Sequence, residues 1–314
     1  MDWSGPAAAL IATRALHFAA TAIAAGVLLF RATVARPATR GEAGVGKQFR
    51  RWTGLVLWAC LLVEAATGVL WLLLEASSMS SLPFGEAMTA DVLGTVLNET
   101  SFGQVTEIRG SLAVVLAVCL TWDRFAGPEW LALASALALT ASIAWTGHAA
   151  STLGIAGDLH LAADSLHLCA ASAWIGGIVA LILFFAAARR MAPANWAPLA
   201  RDATERFSLL GIVSVVTLLL TGAVNACILV GSIRALLLTE YGRVLMLKLA
   251  IFAMMLGLAA VNRFRLTPRL AAPAPSDALH QLTRNSGIEI ALGLIILAIV
   301  GVLGTMHPAI HLVK

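Results

Sequence analysis

Eight long apolar runs leave this chain few architectures. They lie near residues 7–30, 52–75, 104–122, 130–147, 161–187, 207–231, 241–261 and 287–306. A hydrocarbon core of about 30 Å is crossed by roughly 20 helical residues. Inside lipid each backbone N–H and C=O must find its partner within the crossing structure, which a helix does alone. The expected fold class is therefore all-α, a polytopic membrane protein with eight transmembrane helices. The chain is 60% hydrophobic and 12% charged, with a mean hydropathy of +0.88, well outside the range of soluble domains. The first run carries Arg14 and His17 and lacks a small-residue cleavage site behind a basic head, so it is expected to stay as a helix and not to act as a signal peptide.

The charges set topology. Arg31, Arg36, Arg40, Lys47, Arg50 and Arg51 lie between runs one and two; Arg189, Arg190, Arg201 and Arg206 between five and six; Arg263, Arg265, Arg269 and Arg284 between seven and eight. Loops rich in arginine and lysine stay in the cytoplasm. The segment 76–104 holds Glu86, Asp91 and Glu99 with no basic residue, so both termini are expected to be extracytoplasmic. The net charge of +4 forms no continuous patch, which argues against nucleic acid and leaves the lipid bilayer as the main surrounding. No phosphate-cradling loop is present, so no nucleotide partner and no ATP-driven pumping are expected. Cys60, Cys119, Cys169 and Cys227 each fall in a different run without a C-x-x-C pair, as packing residues do.

Self-comparison reveals a repeat. "RALHFAA" at 14–20 aligns with "DSLHLCA" at 164–170, pairing His17 with His167. "FGQVTEIR" at 102–109 aligns with "YGRVLMLK" at 241–248, pairing Arg109 with Lys248, and the same register pairs "DRF" at 123–125 with "NRF" at 262–264. Thr67-Gly68 matches Thr221-Gly222, and "TGHAA" matches "TMHPA", pairing His148 with His307. The expected organisation is two parallel four-helix repeats. Residues 1–128 hold the first three spans and 129–150 the fourth; residues 151–314 form the second repeat. A pseudo-twofold axis then stands along the membrane normal.

His160, Asp164 and His167 stand at i, i+4 and i+7, on one helical face with Trp174 continuing the stripe. Imidazole ligates copper, zinc and haem iron, and a carboxylate one turn away either ligates or orients the ring. His17 and His167 sit within apolar helix, where an ionisable side chain faces a cavity or a partner. Buried Arg14, Glu64, Arg109, Asp164 and Lys248 are expected to be paired, since a charge at the centre of a span costs about 2.5–3.5 kcal/mol. An Arg14 contact to Asp164 across the axis is one such pairing. Arg109 and Lys248 either neutralise Glu64 and Asp164 or hold anionic groups of a cofactor. Met306, His307 and His311 add thioether and imidazole donors that suit Cu(I).

"RALHFAA", "GHAA", "DLHLAADSLHLCAASAWIGG", "RFS", "YGRVLMLK" with "NRF", and Glu289 near the start of the last run together resemble the copper resistance protein D (CopD) family of bacterial inner-membrane proteins. The resemblance implies copper as the partner ion, handled between periplasm and cytoplasm as part of copper homeostasis and resistance, with a small periplasmic copper carrier delivering it. It makes His148, His160, Asp164 and His167 the first candidates for metal contact.

Two functional readings follow. In the first, the chain is a copper transporter and not an enzyme, taking up Cu(I) or Cu(II) at an extracytoplasmic site drawn from His17, His148, His160, Asp164, His167, Met306, His307 and His311. In the second, it is a redox protein that binds haem b, with His17 and His167 as axial ligands from symmetry-related helices and Arg109 or Lys248 at the propionates.

Overall fold

The computed structural model describes residues 6–122, 126–272 and 275–311. All regular structure among them is helical. Among the described residues eight helical spans are long and apolar enough to cross a membrane, built on α1 (Pro6–Phe30), α2 (Ala43–Ser80), α3 (Ser101–Thr121), α4 (Ala126–Ser142, its span continued to Thr146 by a 3₁₀ turn), α5 (Gly154–Met191), α6 (Trp196–Leu229), α7 (Glu240–Val261) and α8 (Pro275–Leu303). The all-α, eight-span expectation holds. Several helices outrun the apolar stretches that mark them. α2 and α5 have 38 residues each, about 57 Å at a rise of 1.5 Å per residue. Hydropathy marks only the length that meets lipid, whereas the backbone ladder continues into water wherever polar side chains such as Lys47, Arg50 and Arg51 follow. The "DRF" segment at 123–125 lies outside the described residues.

α1 and α5 form the central pair. Their apolar windows are 72% and 67% buried inside the protein, against 11% for the span that contains α7. The two helices touch along their length; α2 packs on α1, α6 on α5, α3 on α4 and α7 on α8, while α4 and α8 each touch both central helices. Small residues permit the central crossing. A Cβ on Gly176 would lie 2.6 Å from the Ala22 carbonyl oxygen and 2.8 Å from Gly26 Cα.

The arginine-rich loops share one end of the bundle, where Asn195 Nδ2 donates to Glu42 Oε1 at 3.2 Å. Above them Phe30 meets Phe49, Phe184 and Phe207 with ring centroids 5.8, 6.3 and 5.8 Å away, an aromatic plug between the central helices. At the opposite end two matching caps set the register of α3 and α7. Thr100 Oγ1 accepts the Gly103 N–H and Thr239 Oγ1 accepts the Gly242 N–H, both at 3.0 Å. A Cβ on either glycine would strike the carbonyl of Val96 or Leu236, in the short helices Ala90–Glu99 and Ile233–Leu238 that precede them. Arg109 and Lys248 are thereby carried to the same depth, each six residues beyond its glycine.

Candidate functional site

A cavity of about 470 Å³ opens among α1, α5, α6, α7 and α8 at the end away from the arginine-rich loops. His148, His160, Asp164 and His167 all line it, with Arg14, Thr146, Asn225, Tyr241 and Lys248 adding to its polar surface and Trp174 in its wall. The predicted i, i+4, i+7 stripe is realised because α5 begins at Gly154, well before His160. His148 reaches the cavity from the loop between α4 and α5, where its Nε2 lies 3.2 Å from the Leu303 carbonyl and its ring meets Tyr241 at 6.5 Å.

The state of His167 follows from its partner. Thr221 Oγ1 donates to the Thr217 carbonyl at 2.6 Å, so it accepts from His167 Nδ1 at 2.9 Å and Nε2 keeps the lone pair. Fixing one ring nitrogen in this way orients the other for ligation. His160 is almost fully buried and pairs through Nδ1 with Thr152 Oγ1 at 2.9 Å. Asp164 accepts from Asn225 Nδ2 at 3.1 Å. Lys248 acts on this carboxylate through space and takes part in none of the described ion pairs.

The first half repeats the threonine–histidine pair, with Arg109 placed on the second ring nitrogen. Thr67 Oγ1 donates to the Val63 carbonyl at 2.6 Å and accepts from His17 Nδ1 at 2.8 Å, which again leaves the lone pair on Nε2. Here Arg109 Nη2 donates to that nitrogen. Arg109 also donates to Ser142 Oγ at 3.2 Å and pairs with Glu64 Oε1 at 3.9 Å, so Glu64 has the cation that its burial demands. Trp71 lies edge-on to His17 with centroids 5.4 Å apart and packs against Phe18 and Phe102. Counting four residues from the matched threonines, Asn225 stands where the first half has Trp71. A small amide in place of an indole leaves room beside His167 that His17 lacks.

Several sequence expectations change. His17 is only 3% exposed, is capped by Arg109 and is not among the residues lining the cavity, so it shares no ligand site with His167, and the two rings do not bracket one haem iron in this conformation. His307 is exposed and lies outside the cavity. Met306 packs against the apolar cluster of Val230, Tyr241 and Leu303. The helical turn Ala309–His311 is described, but the side chain of His311 lies outside the described residues. Among the described residues no three His, Cys, Asp or Glu side chains converge tightly enough to hold a metal ion. The Arg14 contact to Asp164 is absent: Arg14 donates to the Gly304 carbonyl at 3.2 Å and lies over the rings of Phe18 and Trp71, while its Nε has no partner.

Two features escaped the sequence reading. Thr67 and Thr221 served there only as repeat markers, yet they orient the two histidines; their matched positions on α2 and α6 were the available signal. A buried network in the inner half was also missed. Asn262 Nδ2 donates to Glu289 Oε1 at 2.6 Å, and Asn285 Nδ2 donates to Asn262 Oδ1 at 2.9 Å.

The chain is similar to known proteins over most of its length. Residues 4–158 match the family described as copper resistance protein D-like, N-terminal domain, and residues 201–303 match copper resistance protein D. Copper resistance protein D of Pseudomonas syringae pv. tomato is 28% identical over 267 residues, covering 81% of this chain and 83% of that protein. Inner membrane protein YebZ of Escherichia coli (strain K12) is 26% identical over 305 residues, 95% of this chain and 98% of the relative. Copper transport protein CutJ of Bacillus subtilis (strain 168) is 28% identical over 229 residues, 70% of this chain and 41% of the relative. No solved structure matches the chain. Family matches over residues 4–158 and 201–303, together with eight apolar helices among the described residues, establish that this chain belongs to the copper resistance protein D family of multi-pass bacterial inner-membrane proteins.

Proposed function

We propose that the protein carries copper across the inner membrane, with copper as substrate and the cavity as its extracytoplasmic entry site. The observation that carries this reading is the gathering of His148, His160, Asp164 and His167 around one open cavity. His167 Nδ1 is tied to Thr221, so Nε2 is the ligating nitrogen. Imidazole suits copper in both oxidation states. The arginine-rich loops, cytoplasmic by their charge, lie at the far end, so the cavity opens to the periplasm, where a small carrier protein delivers the ion. Among the described residues no three His, Cys, Asp or Glu side chains converge in this conformation, so copper is received by one- and two-ligand contacts.

Passage inward requires the aromatic plug of Phe30, Phe49, Phe184 and Phe207 to part. The parallel repeats supply two halves that rock about the α1/α5 contact. Copper accumulation in cells expressing wild type, His167→Ala or His148→Ala tests the reading. Accumulation falls several-fold in both variants at equal membrane levels; unchanged accumulation in both refutes the entry site.

A further inference from the structure

We propose that the same cavity also binds an amphipathic organic anion that already encloses a metal, of the metallotetrapyrrole class, with His167 supplying one axial nitrogen and Arg14 and Lys248 meeting its carboxylates. The proposal goes beyond copper transport and does not rest on it. It departs from a two-histidine haem site as well, because His17 is capped by Arg109 and lies outside the cavity.

Size is the first support. A bare first-row ion is held by donors at about 2.0–2.3 Å, whereas sites for organic molecules occupy about 300–1,000 Å³ and are mostly apolar with a few convergent polar groups. This cavity of about 470 Å³ is of the second kind, walled by Phe18, Ile143, Trp174, Ile175, Phe252 and Ile296. Such walls suit a flat, greasy ring better than a hydrated cation.

Charge is the second. Arg14 and Lys248 line the cavity against the single carboxylate of Asp164, and Asp164 is already engaged by Asn225. Arg14 is 7% exposed and its Nε has no partner; Lys248 is in none of the described ion pairs. Fixed cations with unused donors at the edge of an apolar chamber are what carboxylates on an apolar ligand require.

The third support is the donor set. No three-ligand cluster exists among the described residues, yet His167 is oriented with Nε2 free to ligate. One oriented imidazole is sufficient for a metal whose other positions are filled by its own macrocycle.

Full-length, haem-free protein in lipid nanodiscs, titrated with hemin and followed at the Soret band against empty nanodiscs, tests this. The expected result is a saturable shift at one equivalent. His167→Ala abolishes the shift, and added imidazole restores it, which separates lost ligation from lost folding. His280→Ala, exposed near the start of α8 at the far end of the bundle, binds as wild type does. Lys248→Met weakens hemin about tenfold, the worth of one charge-assisted bond, and leaves hemin dimethyl ester unaffected. Wild type showing no saturable shift, His167→Ala binding as wild type does, or Lys248→Met acting equally on acid and ester each overturns the proposal. Copper uptake by the same cells is scored separately: its loss with hemin binding intact removes the transport reading and leaves this site standing.

Discussion

Arg109→Met isolates the cost of a buried charge left alone. Glu64 and Arg109 are 4% and 8% exposed, and their charged atoms lie 3.9 Å apart. At an effective dielectric of about 20 this attraction is worth about 4 kcal/mol. Neither carboxylate oxygen of Glu64 has a hydrogen bond, because the nearby hydroxyl of Thr21 donates to the His17 carbonyl at 2.9 Å instead. Arg109 is thus the only described ion-pair partner of Glu64, and its removal strands a carboxylate in an apolar interior, which costs about 3–5 kcal/mol in proteins. Arg109→Met also loses its bonds to Ser142 and His17, so a second variant is needed to separate the terms. Glu64→Gln removes the stranded charge. The double variant Glu64→Gln/Arg109→Met recovers at least half of the loss seen in Arg109→Met, and the difference is the coupling between the two residues. Denaturant unfolding in detergent micelles, followed by tryptophan fluorescence, measures all four proteins. A stability of Arg109→Met within about 0.5 kcal/mol of wild type, or a double variant no more stable than Arg109→Met, refutes the pairing.

Three further outcomes follow from the same geometry. Thr221→Val frees His167 Nδ1 and lowers copper affinity about tenfold, the low end of what lost ligand orientation costs; competition with a colorimetric Cu(I) chelator measures it, and unchanged affinity removes His167 from the ligand set. Gly176→Ala forces a methyl against the backbone of α1, 2.6 Å from the Ala22 carbonyl, and costs about 1–3 kcal/mol of stability, whereas Gly110→Ala, with open space around it, does not destabilise; equal melting of the two variants contradicts the central crossing. Asn262→Leu deprives buried Glu289 of its 2.6 Å donor and destabilises by about 1.5–3 kcal/mol, largely relieved in Asn262→Leu/Glu289→Gln; absence of relief shows that the amide serves packing alone.

What the sequence determined by itself is whatever lipid and water decide locally. The eight spans are legible because a backbone in hydrocarbon has no alternative to the helix, and the position of the arginines marks one end of the bundle through a rule that acts on short loops. The face shared by His160, Asp164 and His167 is legible because helical periodicity fixes it within one element. The helix lengths of α2 and α5 were not, since continuation into water depends on contacts that hydropathy ignores. Which histidines meet was decided only by packing. His17 and His167 hold matching positions in the repeat and each meets a matched threonine in space, yet one is sealed beneath Trp71 and Arg109 while the other faces a cavity beside Asn225. That difference comes from side-chain volume contributed by other helices, α2 and α3 against α6 and α7, and no spacing along α1 or α5 encodes it. His307 fell outside for a related reason: it follows the last turn of α8, and a residue beyond the end of a helix is placed by the loop and not by the helical period.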